Sequence, residues 1–227
     1  MEMLSALDAT FIYLESEHSP MSIGAVYVID SKDAPDGFCY QHWYSLVRSR
    51  LKLSKVFRQR LVEVPLDLSF PYWVRDPGFD LDNHLPETTL PKPGGMKELM
   101  QLAADTWGQV LDRERPLWDI TFVTGINNIA GVSRGSFALI TRVHHAAVDG
   151  KASTEMMTAI LDMTPEIRTI DTEDNWEPED LPSNLDVITR AWSKAGQKAL
   201  ELAGFCLLYT SPSPRDSCNQ LVCRLLR

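Results

Sequence analysis

A short apolar run followed closely by a pair of histidines constrains this chain more than any other stretch. Ser136-Phe137-Ala138-Leu139-Ile140-Thr141 reads as a buried strand, a short apolar run with little polar surface to show to water. Arg142-Val143-His144-His145 follows, then Ala146-Ala147-Val148 and an Asp149-Gly150 turn. Lys151 to Met163 reads as a helix. Two histidines therefore stand where a core strand ends and a turn redirects the backbone. A histidine placed there is held by rigid structure and can still face a cleft. Its unperturbed pKa lies nearest neutrality of all side chains, which suits it to general-base work.

The rest of the chain reads as strands interleaved with helices, the pattern of an α/β or α+β two-layer sandwich. Residues 1–21 read as a short helical or turn segment, Ile23 to Ile29 as a strand, and Phe38 to Leu53 as a helix. Arg58 to Val64 and Tyr72 to Arg75 are extended, and Pro86 to Gly95, with three prolines and two glycines, is a loop. Met96 to Leu111 is an amphipathic helix whose buried face holds Met96, Leu99, Met100, Ala103, Trp107, Val110 and Leu111. Ile120 to Val123 precedes the histidine strand as its neighbour. Thr164 to Ser183 is acidic and proline-punctuated, the composition of a solvated linker. Asn184 is placed to cap a helix running to about Leu202, with Leu185, Ile188, Trp192 and Ala195 on one face.

The formal net charge of -9 argues against nucleic acid as a partner, because phosphate binding needs a basic surface. No apolar run is long enough to cross a bilayer and no secretory signal opens the chain, so the expected place is the cytoplasm, with peripheral contact to a membrane or lipid droplet open. Cys39 stands alone in the body, while Cys206, Cys218 and Cys223 crowd the last segment without a nearby histidine, so no metal site is expected there. Residues 205–227 change character. Leu207-Leu208-Tyr209-Thr210-Ser211-Pro212-Ser213-Pro214-Arg215-Asp216 resembles the conceptual translation of a sequencing-adaptor remnant, and 205–227 is read as a non-native tail. The domain division expected is 1–163 for the main domain, 164–204 for an acidic linker and helix, and 205–227 for the tail.

His144-His145-x-x-x-Asp149-Gly150 resembles the active-site motif of the bifunctional wax ester synthase/diacylglycerol acyltransferase family. Further stretches are similar in the same order: Leu4-Ser5-Ala6-Leu7-Asp8-Ala9-Thr10-Phe11 with Pro20-Met21 and Gly24, then Phe57-Arg58-Gln59-Arg60-Leu61 with Pro71-Tyr72-Trp73 and Phe79-Asp80, then Leu111-Asp112-Arg113 with Pro116-Leu117-Trp118. The resemblance implies the amino-terminal half of a chloramphenicol-acetyltransferase-like acyltransferase. Its carboxy-terminal domain, a partner within the same protein, would be missing here, which would leave an inactive fragment. It also implies acyl-CoA as co-substrate, diacylglycerol or a long-chain alcohol as acceptor, and no further cofactor. Two departures stand out: Asp119 follows Trp118 where the family often has Glu, and Ser22 follows Met21 where it often has His.

Acyl transfer from a thioester to an alcohol needs a base for the hydroxyl proton and a donor set for the oxyanion. His145 is the candidate base. No nucleophilic Ser or Cys motif accompanies it, so no acyl-enzyme is expected. His144 either lines the pocket or supports the base. Asp149 either orients His145 or, as the resemblance implies, forms an ion pair with an arginine, for which Arg142 is one candidate. Gly150 permits a backbone angle or close approach that a Cβ would block. Pro116, Leu117 and Trp118 either line the acyl channel or form a turn around a buried tryptophan. Three other readings compete: a non-catalytic lipid- or partner-binding member, a condensation domain sharing the histidine motif, and a metal site at His144, His145 and Asp149.

Overall fold

The computed structural model describes residues 1–32, 34, 38–148, 156–162, 168, 170 and 173–193. They fall into two compact units, Met1–Glu63 with Phe70–Leu181, and Val64–Ser69 with the chain from Pro182. In the first unit a three-stranded antiparallel sheet has the order β1-β4-β3, from β1 (Glu2–Met3), β3 (Gln59–Val62) and β4 (Tyr72–Arg75). A four-stranded sheet has the order β2-β7-β6-β5, from β2 (Ser22–Ile29), β5 (Glu87–Thr89), β6 (Trp118–Thr124) and β7 (Phe137–His144). β7 is antiparallel to both neighbours, and β5 runs parallel to β6.

Every residue of β7 is buried, as the apolar run requires. Its alternating side chains serve two cores. Phe137, Leu139 and Val143 pack with Trp43 and Val47 of helix α2 (Tyr40–Arg50). Ala138 and Ile140 pack with Leu99 and Ala103 of helix α3 (Met96–Trp107). Each fully buried large aliphatic contributes roughly 1.5–3 kcal/mol. A third, smaller core joins Leu4, Ala9 and Ile12, the latter two on helix α1 (Ala6–Leu14), to Leu61, Leu117 and Ala146 just beyond the histidines. Gly24 has no room for a side chain: a Cβ there would lie 2.3 Å from Trp107 Nε1 and 2.4 Å from the Thr141 carbonyl. These two atoms are themselves hydrogen-bonded at 3.0 Å, so Gly24 lets the α3 tryptophan reach across β2 to β7.

The structure corrects several local expectations. The loop expected over 86–95 contains β5, a three-residue edge strand whose flanking prolines hide it. Helix α3 stops at Trp107, capped by Gly108, and its contact stripe is rotated toward Leu99, Leu102 and Ala103. Met96 and Met100 are 48% and 42% exposed, so they flank the contact rather than build it. Of the expected 151–163 helix, residues 156–160 are described and helical; Arg50 and Arg168 donate to carbonyls at its end.

The acidic 173–181 segment is not free in solvent. Arg58 grips Asp174 with two bonds of 2.7 and 2.8 Å and lies over the Trp176 ring. Glu179 takes the amino terminus and Arg75. Composition alone marked this stretch as a linker, because its partners lie far off in the chain. In the second unit residues 184–193 are helical and the side-chain cap is Ser183, not Asn184, since Ser183 Oγ accepts the Asp186 N–H. Val187 and Ala191 are its buried residues, whereas Leu185 and Trp192 are exposed. Residues 194–227, including the tail, lie outside the described residues.

Candidate active site

The histidine pair sits at the end of the most buried strand, and its two members have opposite situations. His144 is the last residue of β7, shares a face with Ile140 and Arg142, and is 0% exposed. Its backbone N–H donates to the Leu117 carbonyl at 2.9 Å. Its ring Nδ1 accepts the Ala146 N–H at 3.0 Å, which in the neutral ring leaves the proton on Nε2. Nε2 lies 3.3 Å from Glu15 Oε1, a close contact that falls short of good hydrogen-bond geometry and is an ion pair only when the ring is protonated. Burial pushes the His144 pKa below the usual imidazole value; the Glu15 carboxylate opposes the fall and Arg113 adds to it.

His145 is half-buried and lies in the turn after β7. Its ring stacks on Phe11 of α1, with centroids 4.1 Å apart and planes 11° from parallel. Its backbone N–H donates to the Met21 carbonyl at 2.8 Å. Its Nδ1 is buried and has no hydrogen-bond partner, as is also true of Ser22 Oγ, on the residue that faces His144 across β2 and β7. Buried polar atoms left unpaired are rare and gather where a ligand or ordered water completes the set. Ala146, Ala147 and Val148 line a cavity of about 430 Å³, shared with Ser5, Leu7 and Asp8 from the start of α1 and with Trp73. Leu7 and Leu14, 70% and 60% exposed, flank Phe11 along one side of that helix.

Arg142 is buried and fully engaged. Its Nε reaches Asp119 at 3.2 and 3.3 Å, and its Nη1 donates to the carbonyls of Thr106 and Gln109 at 2.8 and 2.7 Å. Asp119 is thus its ion-pair partner; Asp149 and Gly150 lie outside the described residues. Pro116, Leu117 and Trp118 are buried. Trp118 Nε1 donates to the Phe57 carbonyl at 3.0 Å, and the ring stacks on His84. His84 Nδ1 lies 2.7 Å from the Trp118 carbonyl, and burial holds its pKa below the usual value. These side chains pack the core beneath the motif. Neither Leu117 nor Trp118 lines the 430 Å³ cavity, and neither does His145, whose sequence neighbours Ala146 to Val148 do.

Two residues at the centre of this arrangement carried no assigned role in the sequence: Glu15 and Arg113. A signal existed for Glu15. An acidic residue at a helix C-terminus opposes the helix dipole and so needs a reason to be there. Among the described residues no cluster of His, Cys, Asp and Glu could hold a metal, and no helix is long and apolar enough to cross a membrane.

The wax ester synthase/diacylglycerol acyltransferase catalytic domain matches residues 4–207. The chain belongs to this family. A putative diacylglycerol O-acyltransferase of Mycobacterium tuberculosis is 36% identical over 183 residues, 81% of this chain and 37% of the relative. Another from the same species is 33% identical over 166 residues, 73% of this chain and 32% of the relative. The chain thus spans about a third of the length of these curated relatives. The wax ester synthase/diacylglycerol acyltransferase from Marinobacter aquaeolei VT8 superposes with a TM-score of 0.62 at 29% identity, over 81% of this chain and 43% of that one. The starter condensation domain of rhizomide synthetase, at 15% identity and a TM-score of 0.50 over 70% of this chain and 37% of that one, shares the fold alone. The chloramphenicol-acetyltransferase-like fold expected of the family member is the fold observed, over the part present.

Proposed function

We propose that this chain carries the general base of an acyl-CoA-dependent O-acyltransferase, which moves a long-chain acyl group to diacylglycerol, to a fatty alcohol, or to both. His145 takes the proton from the acceptor hydroxyl as its oxygen attacks the thioester carbonyl. The tetrahedral oxyanion collapses, the C–S bond breaks, and the leaving CoA sulfur receives the proton from the imidazolium. The products are the ester and free CoA, and no acyl-enzyme intervenes. The observation that carries this reading is the seat of His145: a half-buried ring, stacked on Phe11 at 4.1 Å, at the end of a strand buried along its whole length. Family membership supports the reaction class, and the apolar stripe of Leu7, Phe11 and Leu14 beside the ring suits an acyl or alkyl chain drawn from a membrane or lipid-droplet surface. His144, buried at 0% exposure, supports the base rather than meeting substrate.

The chain spans only part of its relatives, so the test uses a graft. Residues 4–207 replace the matched segment of the 36%-identical mycobacterial protein, and labelled acyl-CoA is offered with hexadecanol or diacylglycerol. Ester formation by the graft should fall about 10²–10⁴-fold in His145→Ala, the usual contribution of a positioned base. Retained activity in that variant rejects the assignment.

A further inference from the structure

A carboxylate is buried at the end of α1 among groups that converge on His145. Glu15 is the C-cap residue of the helix, and its side chain is 2% exposed. Burial strips a carboxylate of hydration and a helix C-terminus repels it, so its partners must hold it there. Arg113 supplies Nε and Nη2 to Oε2, each at 3.2 Å, and Nη2 also donates to the Ile12 carbonyl at 2.7 Å. Oε1 accepts the Met21 N–H at 3.1 Å and faces His144 Nε2 at 3.3 Å. Both partners of Oε1 lead to the candidate base. The Met21 carbonyl accepts the His145 N–H at 2.8 Å. The His144 ring, through Nδ1, holds the N–H of Ala146, the residue that follows the base.

We propose that Glu15 is the positioning residue of this site, its carboxylate holding His145 from both sides: through the Met21 backbone, and through the ring of His144 and the Ala146 N–H. Arg113 offsets its charge. The consequence for turnover rests on His145 being the base; the positioning itself does not, and is read without turnover. Two of the five histidines in the sequence, His144 and His145, should respond to Glu15, and His18, His42 and His84 serve as internal references.

The experiment is nitrogen-detected titration of the histidine rings in the full chain. His144 should show the Nε2–H neutral tautomer. Glu15→Gln keeps an oxygen that can accept from Nε2–H, so the tautomer should persist, but the charge that favours the imidazolium is gone and the His144 midpoint should move to lower pH. Glu15→Ala removes the acceptor, and the His145 ring signals should shift or broaden. Glu63→Gln, which touches Arg113 Nη1 from an exposed position, should change neither. An unchanged His144 midpoint in Glu15→Gln overturns the proposal, as do wild-type His145 signals in a folded Glu15→Ala. If Glu15→Ala fails to fold, the glutamine variant decides alone. These shifts together with retained activity in His145→Ala would leave the positioning standing and remove the base; absent shifts with lost activity would do the reverse.

Discussion

Arg142 joins the motif strand to α3 and its C-terminal turn with a single guanidinium. It meets Asp119 on the neighbouring strand, directly opposite in the β6–β7 register, and two carbonyls at and just beyond the end of α3. Both members of the pair are nearly out of water, at 10% and 13% side-chain exposure. Removing one member of a buried pair leaves the other charge uncompensated, at a cost of about 3–5 kcal/mol. Asp119→Ala should lose stability on that scale in urea unfolding, and Asp119→Asn, which keeps an acceptor, should lose less. A loss within about 0.5 kcal/mol, as for an ordinary surface change, would show that the pair carries no such load. Arg142 stood in the sequence only as a candidate partner of Asp149, with no sign of Asp119 in that role. Asp119 is 23 positions away, and only the strand register brings it opposite.

At the scale of elements, apolar runs and periodicities carried the reading wherever one face or both were buried. β7 and β2 were legible for that reason, and so were the histidines, whose place follows from where the run ends. What periodicity did not supply was the rotation of a helix against its sheet. In α3, Leu99 and Ala103 are 0% exposed while Met100 is 42% exposed, although all three fit one apolar stripe in the sequence. Leu99→Ala should therefore cost about 2–5 kcal/mol through lost burial and the cavity left behind. Met100→Ala should stay within about 0.5 kcal/mol. Equal losses in thermal or urea melts would place the helix in the orientation that the stripe alone suggests. Glu15 belongs to this scale too. Its role depends on the end of α1 meeting the end of β7, a contact between elements more than a hundred residues apart.

Across the first unit, two sets of ionisable groups tie stability to pH in separate windows. His84 and His144 are buried, and both have folded pKa values pressed below 6.5 by desolvation. Between the folded and unfolded values the unfolded chain holds more protons, so stability falls as pH drops below about 6.5. The second set holds the 173–181 strap and the 156–162 segment. Hydrogen bonds from Arg58 hold the Asp174 carboxyl below its ordinary 3.8, and Arg50 does the same for Asp162. Glu179 is pushed up by burial but drawn further down by the amino terminus and Arg75, to below 4.5. Depressed carboxylates contribute stability above their unfolded values and lose it as pH falls through the folded ones. The urea midpoint should be level above pH 7, decline once below about 6.5, and decline again below about 4.5. His84→Gln should shrink the first decline and leave the second, because its buried ring no longer has to accept a proton. Asp174→Asn should shrink the second and leave the first, because Arg58 loses the charge it holds. A single decline confined to the carboxylate range in the wild-type chain would mean that the two buried imidazoles titrate alike folded and unfolded, against the desolvation that their burial imposes.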